Sequence, residues 1–263
     1  MASVSQEGGG DTLDAIGLFG SLDIFDEGLC KRSLCEKCKR PIAVCWCSYL
    51  PCEPIQIQTT LYILQHPFEE SRSLRTVPIL QNCVPKENCH VIRGKRFAFS
   101  KYPQLMTVLE SPNTLLLYPG DDAIDVSELP TDVAYNLVLL DGTWSQARGI
   151  FAQNNCLKSL KKVQVQPNKK SKYVIRTQPY DSALSTLEAA AAAIASLERR
   201  EDVYEVFTHP LQALCDFQLQ HGAVKHQSRE FKIENGLWTK PLRRSVQRRL
   251  AEKRAQEQGK SST

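Results

Sequence analysis

The chain has 263 residues, 42% of them hydrophobic and 24% charged, with a net charge of +4 at pH 7. That length can bury a substantial core, and no apolar run approaches the length of a membrane span, which excludes a small stapled scaffold and an apolar transmembrane helix. Ten cysteines in a chain this large, whose start lacks the basic and apolar regions of a secretion signal, point to reduced thiols and a metal site in cytosol or nucleus.

The charge is unevenly spread. Residues 1–29 carry six acidic side chains and no base, whereas residues 225–260 carry eleven Lys and Arg against four Glu. The first segment reads as an acidic, Gly-rich, disordered terminus with a short apolar stretch from Ile16 to Ile24. The second is the electrostatic footprint of a polyanion partner, nucleic acid foremost, although a solvated basic helix has the same composition.

Residues 30–54 hold Cys35-x2-Cys38 and, after a gap of six, Cys45-x-Cys47. Four thiolates this close can complete a tetrahedral site, and zinc is the ion such a soft set usually holds. No position is left open for water, so the expected role is structural. Cys30 and Cys52 flank the set, and Lys37, Lys39 and Arg40 interleave it, where they can meet phosphates.

Residues 55–241 read as one α/β domain. Ile55 to Leu64 predicts an early strand of the main sheet, running into a segment with His66, Glu69, Arg72 and Arg75. That segment suits either a polar site or a solvated loop and helix start. Val77 to Cys83 predicts a helix, and Arg93 to Phe97 a basic surface stretch. Thr114 to Gly120 is a short buried strand ending at Tyr118, Pro119 and Gly120. After an acidic loop, Asp121 to Thr131, Leu137 to Leu140 is another, ending in Asp141-Gly142-Thr143-Trp144. Two apolar strands that both end in glycine turns predict parallel neighbours lining one ligand crevice at the sheet's carboxyl edge.

Gln146 to Asn154 predicts a helix and the stretch from Lys161 a strand. Leu184, Leu187, Ala191, Ile194 and Leu197 recur at helical spacing, and Ser185 with Glu188 forms a capping-box pattern. The amides of such a helix start attract anions, a ligand's carboxylate among them. Pro210 to Ala223 predicts an amphipathic helix with Leu211, Leu214, Cys215 and Leu219 inward, and with His209 and His221 at the core edge or cap. A basic helix follows from Leu242. On the residues alone, bland readings stay open: a turn with a core tryptophan at 141–144, and an alanine-rich packing helix after Leu184.

Four of these stretches, in order, resemble the DTW-domain family. They are Cys-x2-Cys-x-Arg-Pro-x3-Cys-x-Cys through Arg40 and Pro41; His66 and Pro67 with Glu69, Arg72 and Thr76; Asp141 to Trp144; and Leu184 to Glu188. Arg75 stands where the family usually has asparagine, as in one eukaryotic branch. The resemblance implies a SPOUT-like, mostly parallel sheet with a knotted cofactor site. It also implies transfer of the 3-amino-3-carboxypropyl group of S-adenosylmethionine to N3 of a tRNA uridine, in the D-loop for the eukaryotic branch.

Asp141 is then the candidate base for the N3 proton, or the partner of the donor's ammonium group. Tyr118, Pro119, Gly120, Gly142, Thr143, Trp144, Leu184, Ser185, Thr186 and Glu188 are the candidate cofactor-binding residues. Arg40, His66, Arg72, Arg75, Arg93, Lys95, Arg96, Arg243 and Arg244 are candidate RNA contacts. Two other readings fit the same chain: a SPOUT-type RNA methyltransferase with the same cofactor, and a non-catalytic, zinc-containing RNA-binding module.

Overall fold

The computed structural model describes residues 33–166, 170–242 and 247. The acidic segment 1–29, Cys30 and the arginines Arg243 and Arg244 lie outside the described residues. Six strands form one sheet: β1 (Thr60–Gln65), β2 (Cys89–Arg93), β3 (Thr114–Leu117), β4 (Ile124–Asp125), β5 (Asn136–Asp141) and β6 (Lys161–Gln164). Their order is β2-β1-β5-β3-β6-β4, and every pairing is parallel. The expected α/β class and parallel neighbours are thus present: β3 pairs directly with β5.

The strands read as apolar runs because both faces of the sheet are covered. Leu61, Ile63, Leu115, Leu137, Leu139 and Val163 pack in one cluster with residues of α1 (Val77–Cys83), α5 (Thr186–Leu197) and α6 (Glu201–Gln220). The alternate residues Leu64, Leu116 and Val138 face the other way. They pack with Leu105 and Leu109 of α2 (Pro103–Leu109), Ile150 of α3 (Trp144–Gln153) and Leu157 of α4 (Asn155–Lys158). A last helix, α7, spans Arg229–Glu234.

The alanines of α5 have a packing reason. Ala190, Ala191 and Ala193 are fully buried, and α5 lies close against both α6 and β5. The cysteine-rich segment docks on the same layer: Trp46 is 2% exposed and joins the main core, and Tyr49 meets His209 edge-on at 5.3 Å.

Four expectations need correcting. The first strand starts at Thr60 rather than Ile55. The last amphipathic helix begins at Glu201 rather than Pro210, and Pro210 lies inside it; proline has the look of a start signal, but packing overrides the hydrogen bond it forfeits. The acidic loop contains the edge strand β4 and a 3-10 turn, Val126–Glu128. The strand β2 and the helix α2 form from segments with too little apolar periodicity to predict either. No helix of the described residues is long and apolar enough to cross a membrane.

Candidate active site

Strand β5 is central, and its last residue, Asp141, pairs in register with Gln65, the last residue of β1. That register sets the site. Asp141 is 7% exposed, and each of its oxygens has a donor: Gln65 Nε2 gives to Oδ2 at 2.9 Å, and Thr186 Oγ1 to Oδ1 at 2.8 Å. The His66 amide also donates to the Asp141 carbonyl at 2.9 Å. A carboxylate fixed from two strands and a helix start loses little freedom on meeting a ligand.

Gly142 is required by close approach. A Cβ there would stand 3.0 Å from Gln146 Cβ and 3.3 Å from His66 Cβ. Thr143 then caps α3 in a capping box with Gln146: the Thr143 amide donates to Gln146 Oε1 at 2.7 Å and the Gln146 amide to Thr143 Oγ1 at 3.2 Å. Trp144 is not a core residue. The residue is 37% exposed, and its ring tilts against Tyr180 at 5.7 Å. Tyr118, at the end of β3, stacks on Phe151 at 4.3 Å, and burial pushes its phenol up, with Arg148, Lys162 and Tyr180 nearby. Pro119 and Gly120 follow on the surface.

Ser185 and Glu188 do form a capping box, but Glu188 is fully buried and its carboxylate also accepts from Ser171 Oγ at 2.8 Å and the Lys172 amide at 2.6 Å. The Ser185 and Glu188 amides are thus met within the chain, by Glu188 Oε2 and Ser185 Oγ. Thr186, the next residue along, is the one that reaches Asp141. A groove of about 750 Å³ runs along α5, touching Leu184, Ala192, Ala195, Ser196, Arg199 and Tyr204. Of the candidate cofactor residues it meets only Leu184.

The turn after β1 adds charge. His66 caps the 3-10 turn Pro67–Glu69, its Nδ1 accepting from the Phe68 amide at 3.2 Å. Burial, then Lys95 and Arg72, hold the imidazole below its usual range. It is 6% exposed. Glu69 is 5% exposed and pairs with Arg72 Nε at 3.2 Å. Burial and the negative Asp141 raise its carboxyl, with Arg72 and Arg176 acting against them.

Around this edge lie exposed cations and rings. Lys95 Nζ sits 5.0 Å from the Phe68 ring centroid, and Phe68 is 63% exposed. Arg93 pairs with Glu70 at 2.6 Å, and Arg96 donates to Gln153 Oε1 at 3.3 Å. Arg75 is half-buried. Arg40 serves the fold itself, because Nε donates to the Val44 carbonyl and Nη1 to the Ser73 carbonyl, both at 3.1 Å. It ties the cysteine segment to the loop after β1.

The four cysteine sulfurs Cys35, Cys38, Cys45 and Cys47 lie within 4.8 Å of one another. Cys35 and Cys47 are 3.7 Å apart, and Cys38 and Cys45 3.6 Å. Thiolates about 2.3 Å from a tetrahedral zinc stand about 3.8 Å from each other, so the cluster has the dimensions of a metal site. The Cys38 and Lys37 amides pull the Cys35 thiol down to about 6, while burial pushes Cys38 and Cys47 up. A bound cation is what would hold all four as thiolates.

Asp141, Gly142 and Thr186 are legible in the sequence as motif residues. Gln65, Arg176 and Tyr180 are not. Gln65 does carry a signal, as the polar residue closing an apolar strand; the other two lie in a loop whose course is set by tertiary contacts.

Comparison with known proteins adds an independent observation. A model of the DTW domain matches residues 32–219. The chain is 46% identical over 236 residues to tRNA-uridine aminocarboxypropyltransferase 2 of Mus musculus, covering 89% of this chain and 78% of that one. It is 45% identical over 222 residues to the Drosophila melanogaster protein of the same name, covering 84% and 88%. It is 26% identical over 220 residues to tRNA-uridine aminocarboxypropyltransferase A of Arabidopsis thaliana, covering 73% and 83%. No solved structure matches the chain.

Proposed function

The chain belongs to the DTW-domain family, and from that premise we propose that it is a tRNA-uridine aminocarboxypropyltransferase. Its donor is S-adenosylmethionine, its acceptor atom N3 of a uridine, and its leaving group 5′-methylthioadenosine. The observation that carries this reading is the fixed, nearly buried Asp141 carboxylate at the carboxyl end of the central strand, in a chain 46% identical to an enzyme of that name.

The sulfonium of the donor already supplies a good leaving group, so the protein must mainly align the reactants and accept a proton. Asp141 supplies a negative charge suited to the donor's ammonium or to the N3 proton. The loops after β3 and β5, which are neighbouring strands, bring Tyr118 and Trp144 to one edge. This supports a cofactor site there, and the knotted arrangement of the family is part of the proposal. A uridine in the D-loop can leave its stack, and exposed Phe68 beside Lys95 suits such a base and its backbone. Zinc at the four cysteines would have a structural role, fastening residues 33–50 to the main core.

Purified protein, tRNA and S-adenosylmethionine are the test. The product should carry an aminocarboxypropyl adduct on a uridine, a mass far above that of a methyl group; methylation instead would transfer the reading to the methyltransferase class. Asp141→Asn should lower transfer by about 10²-fold or more while leaving tRNA binding intact. Transfer undiminished in that variant would remove Asp141 from the reaction.

A further inference from the structure

Two carboxylates lie near the end of the central strands, and they are held in opposite ways. Asp141 has a neutral donor on each oxygen. Glu69 is as deeply buried, yet its Oε1 has no hydrogen bond. The Arg72 Nε at 3.2 Å is an ion-pair contact without hydrogen-bond alignment. A buried carboxylate oxygen without a donor is costly, and such groups persist where a substrate completes them. The two residues share one edge: Glu69 ends the turn that begins at His66, whose amide is bonded to the Asp141 carbonyl.

We propose that Glu69 takes the uracil N3 proton and that Asp141 holds the ammonium group of the donor. This rests on the transferase reading above and divides its two acidic roles between two residues. In the step, Glu69 removes the N3 proton and the N3 electron pair forms a bond to the γ-carbon of the aminocarboxypropyl group. The bond from that carbon to sulfur breaks, its pair remains on sulfur, and the sulfonium becomes the neutral thioether of 5′-methylthioadenosine. The proton leaves Glu69 to solvent after product departs.

The assignment follows from what each oxygen can still do. Asp141 is pre-aimed by two donors and retains lone pairs for an ammonium, a charge-assisted contact. Glu69 Oε1 has no hydrogen-bond donor beside the Arg72 ion pair, and its surroundings make it a better base than an ordinary carboxylate: burial and Asp141 raise its proton affinity, and Arg72 and Arg176 limit the rise. Tyr173, whose hydroxyl donates to the Leu74 carbonyl at 2.6 Å, also faces it from the loop before α5. His66, at the head of the same turn, spends Nδ1 on the Phe68 amide and so presents Nε2 as a donor, not a base.

The experiment is single-turnover transfer of labelled aminocarboxypropyl to tRNA across pH, for the full chain, Glu69→Gln and Asp141→Asn, beside calorimetric S-adenosylmethionine binding. Wild-type transfer should rise with pH as Glu69 ionises and then level off. Glu69→Gln should lose about 10²-fold or more of transfer and that acid limb, with cofactor affinity changed less than about twofold. Asp141→Asn should lose cofactor affinity. Should the Gln variant fail to fold, Glu69→Asp withdraws the carboxylate by one methylene; it should slow transfer yet keep the limb. Undiminished transfer with an unchanged pH profile in a folded Glu69 variant overturns the proposal alone, whereas no transfer by the wild-type chain overturns the underlying reading.

Discussion

Thr186 is the first residue of α5, and its side chain donates to Asp141 Oδ1 at 2.8 Å. Replacing it by valine keeps the shape and removes the donor. Asp141 then keeps Gln65 on Oδ2 but has a buried acceptor unsatisfied, which costs about 1–3 kcal/mol. The Thr186→Val chain should therefore unfold at lower denaturant with an unchanged denaturant slope. Its transfer rate should fall more than stability alone explains, because the carboxylate is free to swing. A variant with wild-type transfer and stability would show that Gln65 alone positions Asp141. Of this trio, only Gln65 lies outside every sequence motif: its partnership with Asp141 exists through strand register, which no local pattern encodes.

Among the described residues, the cysteine segment has little regular structure, two 3-10 turns at Ile42–Val44 and Cys47–Tyr49 and an isolated bridge between Leu34 and Pro41, and yet it carries Trp46 into the core. Turns this short do not order themselves; a metal crosslink does, and its binding free energy is folding free energy. The purified protein should contain about one zinc per chain. Cys38→Ser should lose it together with several degrees of melting temperature, and a metal-free protein of unchanged stability would leave the cluster as four neighbouring thiols. This element is readable in sequence because thiol spacing is local. The helices α1, α3 and α5 are readable for the same reason, through apolar period and capping boxes. Strand β2 is not: its residues are buried, exposed and half-buried by turns, and it exists because β1 offers it an edge.

At the scale of the whole chain, charge is segregated: the basic excess lies after residue 224 and the acidic excess before residue 30. Both extremes fall largely outside the described residues, while the described carboxyl edge carries its own cations, Arg72, Arg93, Lys95 and Arg96. Two basic regions on one chain suit a polymeric anion, one region placing the reacting nucleotide and the other adding affinity at a distance. Ending the chain after Pro241 removes seven Lys and Arg but no candidate cofactor residue. If those side chains grip phosphates, tRNA affinity should fall, and the slope of log affinity against log salt should flatten by roughly 0.7–0.9 for each phosphate no longer held. S-adenosylmethionine binding should be unchanged, and transfer at saturating tRNA should be nearly so, since truncation weakens affinity rather than alignment. Filter binding over a range of salt reads this directly. A truncated chain with the full-length salt slope would make the tail a solvated segment and leave the cations of the carboxyl edge as the surface that meets tRNA.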